Sequence, residues 1–300
     1  MTTKPRLEPA SEPTSEPTSV PRLPATVSLG LALGAMVVAL SGCSGSNDKA
    51  GGDIAEATRT ASKVAPATAV EISGGPITVP IEGTSVELRM IPINGGSGGG
   101  FYACSTEVTW DLYDAFIFNL DTDAGKSTTA SDAVTRPSKP YVLVDRGYGH
   151  AGYAALSISP KAAVQLAEWL SIKTGRSFRI PTEAELTHLI DTSGVKGAEA
   201  RLEHGWFAEN SDYSTHEVGS LPPDSNGLHD VWGNVSEYAI TPDGEYVVMG
   251  GSFIDDVADV DRSLRIPFTP EWNADDPQIP KSPWWLASND WVGVRMVCDP

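Results

Sequence analysis

The tryptophans are the sequence feature that most constrains where this chain can form a packed core. All eight lie between Trp110 and Trp291 of the 300 residues. Because large aromatic side chains supply much of the apolar surface that a core buries, we expect the core in that part of the chain. Residues 1–26 are instead rich in Pro, Ser, Thr and Glu, and a segment of that composition buries too little apolar surface to fold.

The charge of the chain excludes one large class of function. The chain has 21 Lys and Arg residues against 39 Asp and Glu residues, a formal net charge of −18 at pH 7. A protein that binds nucleic acid by neutralising phosphates needs a basic face, so we expect no nucleic-acid partner. The 3 cysteines are too few for a disulfide-rich scaffold or a four-cysteine zinc site.

An uncharged apolar run from Val27 to Leu40 precedes Cys43. The run is too short to span a bilayer comfortably but has the length of a signal-peptide hydrophobic region. The string Leu40-Ser41-Gly42-Cys43 resembles the lipobox of bacterial lipoproteins, which implies removal of residues 1–42 and a lipid on Cys43. We therefore expect a membrane-attached protein of the cell envelope, at the outer membrane or periplasmic face if the cell is Gram-negative. The alternative is a short uncleaved anchor with an incidental cysteine.

The rest of the chain divides into a tether and one domain. Residues 43–70 are rich in Ser, Gly, Ala, Thr and Lys, which is typical of a flexible tether. Within 71–300 we predict short strands in residues 70–93, 101–108 and 178–180, and helices over residues 110–120, from Pro160 to Gly175 and after Thr182. Ser159 before Pro160, and Thr182 with Glu185, have the spacing of helix caps. Two main helices on small, loop-rich antiparallel sheets predict an α+β fold.

Four strings of residues occur in a fixed order in this domain. They are Glu107-Val108-Thr109 with Tyr113 and Phe116; residues 162–185; residues 218–237; and Gly250-Gly251-Ser252-Phe253 followed by Arg262, Arg265 and Val292-Gly293-Val294-Arg295. Together they resemble the formylglycine-generating enzyme, or sulfatase-modifying factor, family over roughly residues 75–300. The resemblance implies that family's variant of the C-type lectin fold.

The catalytic chemistry of that family is where this sequence departs from it. The copper-dependent enzymes oxidise a substrate cysteine to formylglycine with two thiolates, which follow Gly-Gly-Ser and bind Cu(I) as soft ligands. The matching positions here are Asp255 and Val260, so we expect no copper and no copper oxidase activity. Ser252 and Arg262 match positions that line the family's substrate cleft. Arg262 could bind a carboxylate or pair with Asp261.

Acidic residues surround the two positions that match the copper ligands, and two interpretations of these acids are open. Asp255, Asp256, Asp259 and Asp261 could bind a hard cation or act as a base, or they could form a solvated acidic loop. The candidate catalytic residues are therefore Ser252, Asp255 and Arg262. The five histidines are scattered without the spacing of metal ligands, so we expect each to be a surface or structural residue.

The resemblance also implies a calcium site in the segment from Asp230 to Glu237. In the family, calcium is held by a side-chain oxygen, by two backbone carbonyls further along the chain, and by a glutamate. These positions fall on Asp230, Gly233, Val235 and Glu237. Calcium prefers about six to eight hard oxygen ligands, and a cation would relieve the repulsion between two close carboxylates. The alternative is that Asp230 and Glu237 are ordinary loop acids.

Cys104 and Cys298 lie near the two ends of the domain. In the family's fold the first and last strands lie close together, and an exported protein matures in an oxidising compartment. The resemblance therefore implies a Cys104–Cys298 disulfide, with two buried free thiols as the alternative.

From these observations we predict an exported, lipid-anchored, calcium-stabilised domain of this family without the copper site. It would act as a binding or accessory module for a protein, peptide or glycan. The alternative is an active enzyme of the family, either an oxidase of the formylglycine-generating type or a protein- or pigment-maturation enzyme, using non-cysteine residues near Asp255.

Overall fold

The computed structural model describes residues 71–96, 98–118 and 143–300. The predicted signal sequence, Cys43 and the tether lie outside these residues. Across the described part of the chain, none of the helices has both the length and the apolar character needed to cross a membrane.

The described residues form nine short strands, four α-helices and one turn of 3₁₀ helix. The strands are β1 (Ile77–Pro80), β2 (Glu87–Ile93), β3 (Phe101–Cys104), β4 (Phe178–Arg179), β5 (Ser236–Ile240), β6 (Tyr246–Met249), β7 (Ile266–Pro267), β8 (Val292–Gly293) and β9 (Val297–Cys298). The helices are α1 (Trp110–Ile117), α2 (Pro160–Thr174), α3 (Glu183–Thr192) and α4 (Gly197–His204), and the 3₁₀ turn is Pro270–Asn273. Short strands, long loops and a few helices make this the predicted α+β fold.

A five-stranded sheet joins the beginning of the domain to its end. Its strand order is β1-β2-β3-β9-β4, and its neighbouring strands are antiparallel. Strand β9 pairs with β3, with Cys298 opposite Tyr102. Strand β9 therefore lies in the interior of this sheet, between β3 and β4. The first and last strands of the domain are close together, as predicted.

The second sheet has four strands in the order β7-β6-β5-β8. One pair differs from the predicted antiparallel arrangement, because β5 and β8 run parallel, with Ser236 opposite Val292. A parallel pair needs a long connection, and the chain supplies it through β6, β7 and the loops between residues 250 and 291. Those loops include the segment with Ser252, Asp255 and Arg262.

The helix caps form as the sequence predicted. The Ser159 hydroxyl accepts a hydrogen bond from the Ala162 N–H at 3.1 Å, and α2 ends at Gly175 in a left-handed conformation. Thr182 and Glu185 form the predicted capping box at the start of α3. Helix α4 was missed because it begins at a glycine, lacks a side-chain cap and buries none of its residues, so its sequence carries no amphipathic signal.

Two apolar clusters lie on opposite faces of the five-stranded sheet, because side chains alternate along a strand. Met90 and Cys104 point into the first cluster, which also contains Trp110 of α1 and Trp169 of α2. Their neighbours Ile91 and Ala103 point into the second cluster, together with buried residues of α3 and Val260.

Candidate functional site

The loop that follows β6 begins with two glycines that are held against neighbouring segments. Gly250 and Gly251 both have positive φ, 90° and 76°. A Cβ atom on Gly250 would lie 2.7 Å from the Val231 carbonyl oxygen, and one on Gly251 would lie 2.7 Å from the Val260 side chain. Only glycine therefore allows this close approach.

Ser252 and Asp255 form a closed local turn in this loop. One Asp255 carboxylate oxygen accepts the Ser252 backbone N–H at 2.8 Å and the Ser252 hydroxyl at 2.7 Å. Ser252 is fully buried, so its hydroxyl is not presented to a substrate. The contact makes Asp255 a turn-forming residue.

Val260, which the sequence analysis matched to the second copper position, belongs to the apolar core. Its side chain is 1% exposed and packs in the second cluster, against Gly251. The loop therefore uses this position for packing, and it offers a soft metal ion no ligand there.

Arg262 forms an ion pair with Asp191, and not with Asp261, which was one of the two predicted alternatives. Its guanidinium donates to both carboxylate oxygens of Asp191 in α3, one of them at 2.8 Å. Asp261 instead accepts the Ser263 N–H and hydroxyl. The Arg262 side chain is 63% exposed, so the pair lies at the surface. The hydrogen bond from Arg262 lowers the pKa of Asp191.

A second loop, residues 206–216, is fastened to the loop of Ser252. The Ser211 hydroxyl donates to the Phe253 carbonyl at 2.8 Å, and the Ala208 N–H donates to the Asp255 carbonyl at 3.0 Å. The Val257 N–H donates to the Glu209 carboxylate at 3.1 Å. The two loops therefore form one connected surface.

That surface carries exposed apolar side chains and strained backbone. Tyr213 is 63% exposed and Ile254 is 40% exposed. Asp212 and Tyr213 both have left-handed φ, 54° and 55°, a conformation that costs free energy for residues other than glycine and is found at functional sites. Trp206 stacks on His216 in the same loop, with ring centroids 3.7 Å apart. We call Trp206, Tyr213, His216 and Ile254 the loop face; nothing in the sequence pattern had identified it.

The segment with the predicted calcium ligands is coiled tightly. Asp230, Gly233 and Asn234 all have positive φ, between 53° and 79°. One Asp230 carboxylate oxygen accepts the Gly219 N–H at 2.7 Å. The other is buried and has no hydrogen-bond donor among the described residues.

The fourth predicted calcium ligand, Glu237, forms an ion pair with Arg295. The guanidinium Nη2 donates to Glu237 Oε1 at 2.7 Å, and Nε lies 3.1 Å from both carboxylate oxygens. Both side chains are buried. The calcium set of Asp230, Gly233, Val235 and Glu237 stays a prediction, and in this structure its glutamate is paired with a guanidinium. Over the ranges that the structure describes, no group of three or more His, Cys, Asp or Glu side chains is arranged to hold a metal ion.

Glu107 joins the same buried region from the loop after β3. Its Oε1 accepts the Asn234 side-chain N–H at 3.1 Å, and its Oε2 has no donor among the described residues. Burial and the charge of Asp230 raise the pKa of Glu107 well above its usual value. The sequence contained Glu107 in a matched string but gave no sign of its neighbours.

Cys104 and Cys298 are free thiols in the structure, so the predicted disulfide is not formed. The strand register explains the difference: Cys298 lies opposite Tyr102, which places the two cysteines diagonally across the pair rather than side by side. The Cys104 thiol instead contacts the Met90 sulfur at 3.3 Å. Burial raises the pKa of Cys104 to about 12 and that of Cys298 to about 11.

One of the five histidines lies between two acids. His150 Nε2 is 2.8 Å from Asp114, and Nδ1 is 3.2 Å from Asp145, while its ring stacks on Trp110. Burial alone would lower the pKa of His150, but the hydrogen bonds and charges of the two aspartates outweigh it and raise that pKa.

Comparison with known proteins identifies the family. Residues 55–277 match the model of the sulfatase-modifying factor enzyme 1-like domain. Among solved structures, Treponema denticola variable protein 1 is similar over 76% of this chain and 100% of its own, with 19% identity and a TM-score of 0.55. PvdO from Pseudomonas aeruginosa (19% identity, 75% of this chain, 92% of that one, TM-score 0.48) and CarF (18%, 75%, 98%, 0.47) also match. None of the curated proteins matches the chain by sequence. Because the family model covers most of the chain, this protein belongs to the sulfatase-modifying factor enzyme 1-like family.

Proposed function

We propose that this protein is an exported, lipid-anchored binding or accessory module of its family, without the copper oxidase chemistry. The observation that carries the proposal is what Asp255 and Val260, at the two positions matched to copper ligands, do in the fold. Asp255 closes a turn with Ser252, and Val260 is packed in the core. Cu(I) prefers soft thiolate ligands, and these two residues supply none.

The cysteines of the described domain do not replace the missing ligands. Cys104 and Cys298 lie in the five-stranded sheet, away from the loop after β6. Both are buried, and burial raises the pKa of each thiol. Because the thiolate is the form that binds metal, two thiols that stay protonated at neutral pH favour a structural role.

The loop face is the surface that supports a binding function. It combines exposed Tyr213 and Ile254 with a tryptophan stacked on a histidine, and aromatic residues are enriched at recognition surfaces. Hydrogen bonds hold its two loops together, so the loops would lose less conformational entropy when a ligand binds. The ligand class that we propose is a protein, peptide or glycan at the cell surface.

The oxidase part is tested with a peptide carrying the cysteine motif of a sulfatase, incubated with the full chain and Cu(I). We expect no aldehyde by mass spectrometry. Robust aldehyde formation that is abolished by Asp255→Ala would overturn the proposal and favour an enzyme that works through Asp255.

The binding part is tested by screening the protein on peptide and glycan arrays. Against a ligand so found, Tyr213→Ala and Ile254→Ala should each weaken binding by about 1–2 kcal/mol. Ile279→Ala is the matched control, because Ile279 is an exposed isoleucine in a different segment, at 99% exposure. Equal losses for all three variants would contradict a role for the loop face.

A catalytic function is the second candidate, and one specific contact favours it. The Asp255 carboxylate is partly exposed and accepts the Ser252 hydroxyl at 2.7 Å, as a base beside a hydroxyl would. The buried position of Ser252 and the additional bond from its own N–H favour the turn instead.

A further inference from the structure

His150 connects two separate segments of the domain. Its Nε2 lies 2.8 Å from Asp114 Oδ2 in α1, and its Nδ1 lies 3.2 Å from Asp145 Oδ2 in the loop before α2. Its ring stacks on Trp110, also in α1, with ring centroids 5.1 Å apart. We call residues 145–153 the clasp, because this segment bridges α1 and the loop before β8.

The first half of the clasp is held against the loop before β8. The Arg146 guanidinium donates to two backbone carbonyls of that loop, at 3.1 and 3.0 Å, and the Tyr148 hydroxyl donates to Asp290 at 2.8 Å. The Tyr148 ring also packs edge-on against Phe253, with ring centroids 5.1 Å apart. The clasp therefore covers one side of Phe253, whose neighbour Ile254 belongs to the loop face.

Both ring nitrogens of His150 face carboxylate oxygens, and this geometry selects one protonation state. A neutral imidazole has one N–H and one lone pair, so it can donate to one carboxylate only and turns its lone pair toward the other. The imidazolium alone donates to both Asp114 and Asp145. The His150 side chain is 40% exposed, so its proton can exchange with solvent.

The turn that His150 closes has a strained backbone. Arg146 has a left-handed φ of 58°, which costs free energy for a residue other than glycine. Gly147 follows with a φ of 82°, and its N–H donates to Asp145 at 2.9 Å. The contacts of His150 therefore oppose a strain that favours opening of the turn.

From the two carboxylates that face its ring, we propose that His150 is the latch of a pH-sensitive clasp, which is closed by the imidazolium and opens when the ring loses its proton. Opening would move Tyr148 away from Phe253, which is fully buried in the closed form, and would add an apolar side chain to the loop face. The latch does not depend on the proposed binding function.

The direction of the switch follows from the pKa of His150. Burial alone would lower that pKa, but the hydrogen bonds and charges of Asp114 and Asp145 outweigh burial and raise it. The closed clasp is therefore fully favoured below the pKa of the open state, about 6.5 for histidine. It loses this advantage as pH rises through the higher pKa of the closed state.

The clasp also contacts other charged side chains of the described chain, namely Asp111, Arg146, Glu217 and Asp290. Asp111 accepts the Gly152 N–H at 2.7 Å, and Asp290 accepts the Tyr148 hydroxyl. Arg146 is bound to backbone carbonyls, and Glu217 forms a backbone bridge with Tyr153. None of these contacts involves the ring of His150, so Asp114 and Asp145 are the acids that hold the latch.

The experiment is hydrogen exchange of the full chain, followed by mass spectrometry, with rates corrected for the intrinsic effect of pH. The Gly147 and Tyr148 N–H groups donate to Asp145 in the closed clasp, so their protection reports closure. Protection of residues 145–153 should be about tenfold higher at about pH 5.5 than at about pH 9. Protection of α2 should change much less, because the opening is local. Equal clasp protection at both pH values, or a parallel loss in α2, would overturn the proposal.

Two variants remove parts of the latch. His150→Asn removes the titrating group, so clasp protection should be low and independent of pH. Asp114→Asn removes one of the two acids, so the midpoint of the pH dependence should move to lower pH. The matched control is His204→Asn, because His204 is hydrogen-bonded to a neutral carbonyl, that of Pro222, and it should keep the native pH dependence. A native pH dependence in His150→Asn, or an unchanged midpoint in Asp114→Asn, would show that another group controls the clasp.

Discussion

At the scale of single residues, the contrast between two arginines shows how burial decides what an ion pair contributes. Arg295 and Glu237 form a buried pair, whereas Arg262 and Asp191 form an exposed one. Removing one partner of a buried pair leaves an uncompensated charge in the interior. An exposed pair is screened by water and salt.

Replacing Arg295 with Met should therefore lower the free energy of unfolding by about 3–5 kcal/mol, measured by urea denaturation. Arg262→Met removes the same charge at the surface, where the pair is screened by water, and should lower the free energy of unfolding much less than Arg295→Met does. Similar losses in the two variants would mean that the Arg295 pair is not buried as described.

His150 should make stability depend on pH in a defined direction. Its pKa is raised in the folded state by the hydrogen bonds and charges of Asp114 and Asp145, which outweigh burial. A group whose folded pKa is raised contributes fully below its unfolded pKa, about 6.5 for histidine, and the contribution disappears as pH rises through the folded pKa. The melting temperature of native protein minus that of His150→Asn should thus be larger at about pH 5.5 than at pH 8. A difference that grows with pH would contradict this.

At the scale of elements, the turns rather than the helices impose the strictest limits on side chains. Gly175 ends α2 with φ 67° and has open space where a Cβ would be. Gly233 has φ 79°, and its Cβ would lie 2.5 Å from a Trp206 backbone oxygen and 2.7 Å from a backbone nitrogen. An alanine would be strained by the positive φ at both positions, but only at Gly233 would its Cβ also collide with neighbouring backbone atoms.

Gly175→Ala should lower the free energy of unfolding by about 1–2 kcal/mol, the penalty of a left-handed residue. Gly233→Ala should cost at least about 2 kcal/mol more, because the backbone that it meets must move. Denaturant melts of the two variants test this, and a smaller loss at Gly233 than at Gly175 would show that the turn opens freely.

At the scale of the whole molecule, the chain combines a family domain with an N-terminal segment of different composition. The apolar run before Cys43 and the string Leu-Ser-Gly-Cys are the basis for the proposed lipid anchor. The last strand, β9, pairs with β3 and β4 in the five-stranded sheet, and its two residues are buried in the domain core.

Replacing Cys43 with Ala should move the protein from the membrane fraction to the soluble fraction, because the lipid that holds it needs the thiol. Cys298→Ala is the control, since Cys298 lies in β9, and it should leave the fractionation unchanged. Mass spectrometry should find residues 1–42 absent from the native mature protein. Mature protein that retains those residues would contradict the lipoprotein assignment.

The sequence by itself determined the features whose partners lie close along the chain. Ser159 caps the N–H three residues ahead, and Glu185 pairs with Thr182 over the same distance. The expectation that copper is not bound at Asp255 and Val260 also rests on residue type alone, because neither side chain is a thiol.

Only the tertiary structure decided which distant groups meet. Arg295 reaches Glu237 across 58 residues and the Cys104 carbonyl across 191. The position of the two cysteines and the orphan oxygens of Glu107 and Asp230 depend on strand register and on how segments pack. No local hydrogen-bonding rule fixes such contacts, because they form only when the sheets bring remote parts of the chain together.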